Sequence, residues 1–369
     1  DFAVAYPDPA NLPLEDLIES VRAGFEREGR DLAYYSSPAG DPELRKLVAD
    51  KLSRERNMKV TADDMVLTSG SGEAIGIVIQ ALTNPGDVVL VEEFVYLGTL
   101  NQMKRYGADV VAVKCDDGGI IPESLDSVIT EQTANGKTVK YLYTIPMFQN
   151  PLGWTMDLER RKQVLEVTGK HGIPIFEDDC YADLRFEGDD VTSFHSLDDT
   201  GRVVYVGSFS KIIAPGMRMG YLVAPKEVIG RAWSFKSGGA VSQFTALTIA
   251  EYMKGGLSRH IDEQNRALMA KRDAMVSALG ENFGSSVEWS VPEGGLYCWV
   301  KFPDGTDLAA VQEEVFHEGV SYYNGSQFSP TGDGSNFVRL CFGHPSVETI
   351  HEGVAVLARI LDRKGVFPR

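Results

Sequence analysis

From about residue 60 to 225, short runs rich in β-branched residues alternate with amphipathic stretches, and nothing else in the chain limits its fold so strongly. The candidate strands are 65–68, 88–92, 109–113, 139–144, 173–177, 203–207 and 220–224. Strands that alternate with helical patterns predict an α/β fold: a mainly parallel seven-stranded sheet flanked by helices. In such sheets ligands gather beyond the carboxyl ends of the strands, where loops meet helix amino termini. Those ends are therefore the places to search for chemistry.

After Phe244 the pattern changes to a helical stretch through Leu279, rich in Ala, Met, Arg and Lys, that reads as a bridge between two units. A smaller α+β unit follows, with strands at 287–291, 296–302 and 337–342 and helices at 307–318 and 347–361. The last helix places Val347, Ile350, Val354, Leu357 and Leu361 on one face. A chain of 369 residues, 43% of them hydrophobic, has enough length for two such units. We place the larger at 40–258 and the smaller at 1–39 together with 259–369.

Bulk properties exclude several functions. The longest apolar runs, such as Val88 to Val91, fall far short of the ~20 residues of a membrane-spanning helix, so no membrane segment is expected. Thirty-six basic against 53 acidic residues give a formal charge of -17, which repels a phosphate backbone and argues against nucleic-acid binding. Cys115, Cys180, Cys298 and Cys341 are widely spaced in apolar contexts and read as reduced, buried thiols, with a cytoplasmic setting as the default. No H-E-x-x-H or Cys/His cluster has metal-ligand spacing, so no metal is expected. The chain opens at Asp1 without a signal peptide, and an upstream segment removed or left out is the expectation.

The most informative segment is Ser208-Phe209-Ser210-Lys211, which leaves a buried-looking strand and leads to Pro215-Gly216-Met217-Arg218-Met219-Gly220. A lone lysine in a loop is ordinarily just solvated. Here two hydroxyls, an arginine and glycine-permitted backbone approach make an anion site beside an amine able to form an imine. A second anion site is suggested by Thr68-Ser69-Gly70-Ser71-Gly72-Glu73, where a helix start offers free N–H groups, although such turns are also common as plain connections.

Phe176-Glu177-Asp178-Asp179-Cys180-Tyr181 puts three acids at a strand end; two are expected to solvate the loop and one to face inward, toward a protonated ring nitrogen. Gln149-Asn150-Pro151-Leu152-Gly153 reads as a turn. Arg339 interrupts the apolar strand at 337–342, where an unpaired charge is costly, and its planar fork suits an α-carboxylate.

Taken in order, S-G-S-G, Q-N-P-x-G, E-D-D-x-Y, S-x-S-K and P-G-x-R-x-G resemble the fold-type I pyridoxal-phosphate family. More narrowly the chain is similar to class I/II aminotransferases of the aminoadipate and kynurenine type, and to the aminotransferase-like half of MocR-type regulators. The resemblance spans almost the whole chain, and the lysine segment with its Pro-Gly-x-Arg is the most specific part.

The resemblance implies pyridoxal 5'-phosphate as cofactor, held by Lys211 as a Schiff base, with Lys211 then moving protons as a neutral amine. It assigns the phosphate to Ser208, Ser210, Arg218 and the amides of Gly70, Ser71 and Gly72. Asp178 would pair with the pyridinium nitrogen, Tyr181 and Asn150 would hold the ring oxygen, and Tyr96 would stack on the ring. Arg339, Asn150, Tyr35 and Gly40 would meet substrate, with Tyr35 also reaching the neighbouring subunit's phosphate. A homodimer with active sites at its interface is implied, acting on an amino acid and a 2-oxo acid. β-Elimination, decarboxylation, racemisation and ligand sensing are alternatives on the same scaffold. Two departures stand out: Val4-Ala5 replace a glycine pair, and Leu152 replaces the threonine of N-P-T-G.

Two rival readings are weaker. Gly70-Ser71-Gly72 with Glu92 suggests a nicotinamide site, but Ile75 stands where the third glycine belongs and Gly76 comes one residue late. Ser208 to Lys211 also reads S-x-x-K, with Lys236-Ser237-Gly238 as a K-[ST]-G triplet, as in penicillin-recognising serine hydrolases. Pro215 and Gly216 would end the helix that such a serine must begin, and Tyr322-Tyr323-Asn324 follows the triplet instead of preceding it.

Overall fold

Every residue of the strand Val88–Glu92 is buried, as are those of Met65–Thr68, Ile175–Asp178, Val203–Ser208 and Gly220–Val223, which is why these segments read as unbroken apolar runs. The computed structural model describes residues 1–236 and 239–366; Ser237 and Gly238 of the K-S-G triplet lie outside the described residues. In chain order the strands are β1 (Met65–Thr68), β2 (Val88–Glu92), β3 (Asp109–Val113), β4 (Cys115–Asp116), β5 (Gly119–Ile120), β6 (Val139–Thr144), β7 (Ile175–Asp178), β8 (Val203–Ser208) and β9 (Gly220–Val223). Then come β10 (Glu288–Trp289), β11 (Tyr297–Lys301), β12 (Tyr323–Asn324) and β13 (Phe337–Cys341).

The large sheet has seven strands in the order β1-β9-β8-β7-β6-β2-β3. Strand β9 runs antiparallel to both its neighbours, and the pairs from β8 to β3 are parallel. Helices flank the sheet, and a smaller four-stranded antiparallel sheet, β10-β11-β13-β12, stands apart from it. β4 and β5 form a separate hairpin. This is the α/β architecture expected from the sequence.

Several boundaries differ from the sequence reading, each for a local reason. The helical stretch after Phe244 is two helices, Gln243–Met253 and Leu257–Phe283, because Gly255 and Gly256 interrupt it. A Cβ at Gly256 would lie 2.3 Å from the Tyr252 ring, so the ring occupies the space a side chain would need. Within 307–318 only Gln312–His317 is α-helical; Asp307 Oδ1 instead accepts from the N–H groups of Ala309 and Ala310. In the last helix, Val347–Lys364, Val347 is exposed in the first turn, whereas Ile350, Val354, Leu357 and Leu361 are buried.

The first residues run beside the smaller sheet. The Phe2 N–H donates to Ser321 O, and the Cys341 N–H donates to Phe2 O, both at 2.9 Å. The Phe2 ring fills the space left by Gly353, where a Cβ would approach it to 2.6 Å. Residues 3–5 are thereby carried toward the carboxyl edge of the large sheet, where they meet Arg339 and Lys211.

Arg161, in the helix Leu158–His171, is fully buried and donates to three backbone carbonyls: Met156 at 2.9 Å, Thr192 at 3.1 Å and Pro146 at 2.9 Å. Arg161→Met keeps the apolar stem but removes the side-chain donor from the Met156, Thr192 and Pro146 carbonyls, of which Pro146 O keeps the Met156 N–H at 2.9 Å. The expected cost is about 3–5 kcal/mol of stability, measured as a lowered urea midpoint at unchanged slope; a loss below about 1 kcal/mol would refute it.

Candidate active site

Antiparallel entry of β9 brings two distant loops to one edge. Gly220 is paired with Thr68 on one side and with Ser208 on the other. A Cβ at Gly220 would lie 2.6 Å from Ser71 N, 2.7 Å from the Gly70 carbonyl carbon and 3.0 Å from Gly207 O, all backbone atoms. Three main chains therefore touch where β1, β8 and β9 meet.

Next to that contact the helix Ser71–Leu82 begins at Gly70 without a side-chain cap, which leaves the first-turn N–H groups of Ser71 and Gly72 without intrahelical acceptors. Gly70 has φ +82°, and a Cβ on it would meet Arg218 Nη2 at 2.6 Å. Arg218 is held across the gap by donating to Ser69 O at 2.9 Å. Ser208 and Ser210 are buried beside it, the Ser210 N–H donating to Ser208 Oγ at 3.1 Å. Uncapped amides, two hydroxyls and a guanidinium form an anion-binding set.

Lys211 follows directly. Its Nζ donates to Ala5 O at 2.6 Å, and its own carbonyl is tied down by Gln264 Nε2 at 2.8 Å. Burial pulls the amine below the ordinary lysine range; Cys341 and Cys180 oppose this, while the positive charges of Arg339 and Arg218 add to it.

Asp178 ends β7 with one oxygen engaged and one free. Its Oδ2 accepts the Tyr143 hydroxyl at 2.6 Å, and Tyr143 in turn accepts from Thr99 at 3.1 Å. Its Oδ1 is buried and has no partner among the described residues. Burial raises the Asp178 carboxyl, and hydrogen bonds from Cys180 and Tyr143 work against that rise.

The expectation that two of the three acids solvate a loop is corrected: Glu177, Asp178 and Asp179 are all buried. Glu177 caps a short helix by accepting from the N–H groups of Phe194 and His195, both at 2.9 Å, and burial pushes it up to about 7. Asp179 accepts the Tyr205 hydroxyl at 2.8 Å and faces Arg56.

Asn150 links the remaining groups. Its Oδ1 accepts from Arg339 Nη1 at 2.9 Å, and its Nδ2 donates to Tyr181 at 3.1 Å and to Tyr297 at 3.3 Å. Arg339 lies over the rings of Tyr297, Tyr323 and Phe328 at 4.6, 5.0 and 5.0 Å. Its Nη2 donates to Ala3 O, and its buried Nε has no partner among the described residues.

The turn that carries Asn150 is fixed by Glu92. Glu92 accepts from Gln149 Nε2 at 2.7 Å, Thr144 Oγ1 at 2.5 Å and the Ile145 N–H at 3.1 Å, and burial raises its carboxyl to about 8. The acid that suggested a nicotinamide site thus lies inside the sheet, occupied by the turn.

Tyr96 caps the helix Leu97–Arg105 and is partly exposed, its ring against Gly98. Gly40, at φ +96°, packs on Leu67 of β1. Tyr35 is fully exposed and is not gathered with the other candidates in its own chain.

Sequence reasoning missed Tyr143, Tyr297 and the part of Glu92 in the turn. Tyr143 and Glu92 stand near carboxyl ends of strands that were read only as core, and a polar atom at such a position was the available signal. The carbonyls of Ala3 and Ala5 carried no signal at all, since any residue supplies them. Among the described residues no group of His, Cys, Asp and Glu is placed to hold a metal, and no helix is long and apolar enough to cross a membrane.

The family model for aminotransferase class I and II matches residues 4–357. The chain belongs to that family, within fold type I of the pyridoxal-phosphate-dependent enzymes and on its aminoadipate and kynurenine-like side. It is 34% identical over 363 residues to aromatic-amino-acid aminotransferase 1 of Thermococcus litoralis, a match covering 98% of this chain and 87% of that protein. Among solved structures it is similar to the kynurenine aminotransferase of Pyrococcus horikoshii, with TM-score 0.92, 33% identity and coverage of 98% and 90% of the two chains. An archaeal alanine:glyoxylate aminotransferase gives TM-score 0.94 at 32% identity, with coverage of 98% and 90%.

Proposed function

We propose that this chain is an aminotransferase that moves an amino group between an L-amino acid and a 2-oxo acid, using pyridoxal 5'-phosphate bound at Lys211. The observation that carries the reading is the pairing of two cationic groups with neutral partners. Lys211 Nζ and the Arg339 guanidinium both donate to backbone carbonyls of the first five residues. Neither donates to a carboxylate that would hold it as a permanent ion pair, so one is available as an amine and the other for a substrate carboxylate.

The residues fit the cofactor that the fold and the relatives imply. A side chain at Gly70 would meet the Arg218 guanidinium, the helix start is uncapped, and Asp178 Oδ1 is a buried acceptor without a donor among the described residues. Ser208, Ser210, Arg218 and the amides of Ser71 and Gly72 would hold the phosphate; the Gly70 N–H, also expected there, is taken by Thr68 O at 2.8 Å. Asp178 would keep the ring nitrogen protonated, Tyr181 would hold the ring oxygen together with Asn150, which would give up its 3.3 Å donation to Tyr297 to do so, and Tyr96 would stack on the ring. When bound, the cofactor supplies an electron sink for the substrate's α-carbon.

The chain's own part is to orient and to move a proton. Arg339, with Asn150 on one side, takes the substrate α-carboxylate bidentately. Lys211 Nζ, whose hold on a proton is weakened by burial, would accept the substrate's α-proton and give it back in the course of the reaction. Exposed Tyr35 supports a homodimer in which it reaches the partner's phosphate; Gly40, also expected to meet substrate, packs on Leu67. The domains we propose are 1–39 with 259–369 and 40–258; pairing of Phe2 with Ser321 and Cys341 supports this for the first residues, whereas the helix Leu14–Glu28 packs on Gln243–Met253 of the larger unit, with Phe25 4.7 Å from Phe244.

The test is the absorption spectrum of protein loaded with pyridoxal phosphate, followed by a panel of amino acids. A visible band that borohydride fixes to the Lys211 peptide, bleached by an amino acid and restored by a 2-oxo acid, is the expected result. A band that no amino acid alters would favour a ligand sensor, and the absence of any band would refute the cofactor assignment.

A further inference from the structure

Tyr297 belongs to none of the motifs that define the site, yet its hydroxyl lies inside it. It sits on β11, paired with Cys341 of β13, and is almost completely buried. Its oxygen is 2.8 Å from the Tyr181 oxygen and 3.3 Å from Asn150 Nδ2, and its ring lies under Arg339 at 4.6 Å. One side chain therefore touches both the phenol assigned to the cofactor's ring oxygen and the arginine assigned to the substrate.

The proton count decides the direction of the short contact. Each phenol has one proton to donate and lone pairs to accept with. Asn150 Nδ2 already donates to Tyr181, so that bond uses Tyr181 only as an acceptor. Tyr181 can donate to a ring oxygen only if its own proton is not committed to Tyr297. The 2.8 Å contact must then run from Tyr297 to Tyr181.

We propose that Tyr297 is a positioning residue that donates its hydroxyl proton to Tyr181 and so directs the Tyr181 proton toward the cofactor's ring oxygen. The inference rests on the cofactor reading above. A phenol that accepts two hydrogen bonds is the better donor for a third, because the bonds polarise one another. Stronger donation stabilises negative charge on the ring oxygen and so disfavours the proton on the nitrogen that joins Lys211 to the ring. Tyr297 thereby helps to keep that nitrogen unprotonated near neutral pH, without touching the cofactor itself.

The experiment titrates the visible absorbance of the loaded enzyme with pH for wild type, Tyr297→Phe, Tyr181→Phe and the double variant. Phenylalanine keeps the ring beneath Arg339 and removes only the hydroxyl. Tyr297→Phe is expected to raise the midpoint by about half to one pH unit, the size of one hydrogen bond acting through another. Tyr181→Phe should raise it further, and the double variant should match Tyr181→Phe, since Tyr297 acts only through Tyr181. An unmoved midpoint in Tyr297→Phe overturns the inference and leaves the cofactor reading intact. A double variant whose shift equals the sum of the two singles also overturns it. Absence of a titrating band in wild type overturns the cofactor reading, and the inference with it.

Discussion

Lys211→Ala is expected to lower the rate of amino transfer by at least about 10³-fold and to abolish borohydride labelling. The magnitude follows from the loss of two contributions at once: a covalent attachment point and a base held at the reacting carbon. The defect should be chemical rather than conformational. In the cofactor-free protein the Lys211 amine is buried with a lowered proton affinity, so its removal also removes a desolvation penalty. What is lost in exchange is one hydrogen bond to Ala5 O and the packing of the stem. Thermal unfolding of the cofactor-free variant should therefore stay within about 1 kcal/mol of wild type. Retention of more than a tenth of the wild-type rate in single-turnover measurements would rule out Lys211 as the base.

Asp178→Asn should have the next largest effect, a fall of about 10³-fold in the rate of the amino-acid half-reaction. Asparagine preserves size and can still accept from Tyr143, but it carries no charge to hold a proton on the ring nitrogen. Tyr143 and Cys180 make this substitution informative, since both donate toward Asp178 and favour its charged form against the effect of burial. Cofactor affinity should fall far less than the rate, because the proposed phosphate contacts at Ser208, Ser210, Arg218 and the helix start are untouched. Rate and affinity measured on the same preparation separate the two; a rate loss that merely follows cofactor occupancy would count against the assignment.

β1 and β2 were legible in the sequence because burial on both faces favours unbroken apolar runs, and the partly buried β3 and β6 because of their β-branched and aromatic residues; all four fall at the expected residues. Strand β7 is read two residues early because Ile173 is as apolar as Ile175 and only the left-handed Gly172 and the following Pro174 mark the boundary. The two-glycine break at 255–256 was visible as composition, but the surrounding Ala, Met and Lys residues favour helix strongly enough to hide it. Lys211, Asn150, Tyr181 and Arg339 were singled out by motif or by charge in an apolar strand. Tyr143 and Tyr297 were not, because a hydroxyl at the end of a buried ring leaves little trace in hydropathy, and Glu92 was noticed only for a nicotinamide site, because the Gln149 turn it holds comes from a distant segment. Glu177 and Asp179 were misread for a related reason: three successive acids look solvated until the Phe194 and His195 amides and Arg56 are brought to them by distant segments.

The three-way backbone contact at Gly220 divides the site into two mechanically different ends. Where β1, β8 and β9 meet, no side chain intervenes, so the spacing between the Ser71 helix start and the Lys211 strand is set by main chain alone. No substitution at Gly220 can adjust that spacing; it can only break it. The Arg339 end is assembled from the rings of Tyr297, Tyr323 and Phe328 and from the first residues of the chain, whose Ala3 carbonyl accepts from Arg339. Tyr297 and Tyr323 stand on the smaller sheet, so a change of side chain there leaves the main-chain contact at Gly220 untouched. A scaffold built this way has a fixed anvil and an exchangeable jaw, and chains that share it can diverge in what they grip while keeping the same tool.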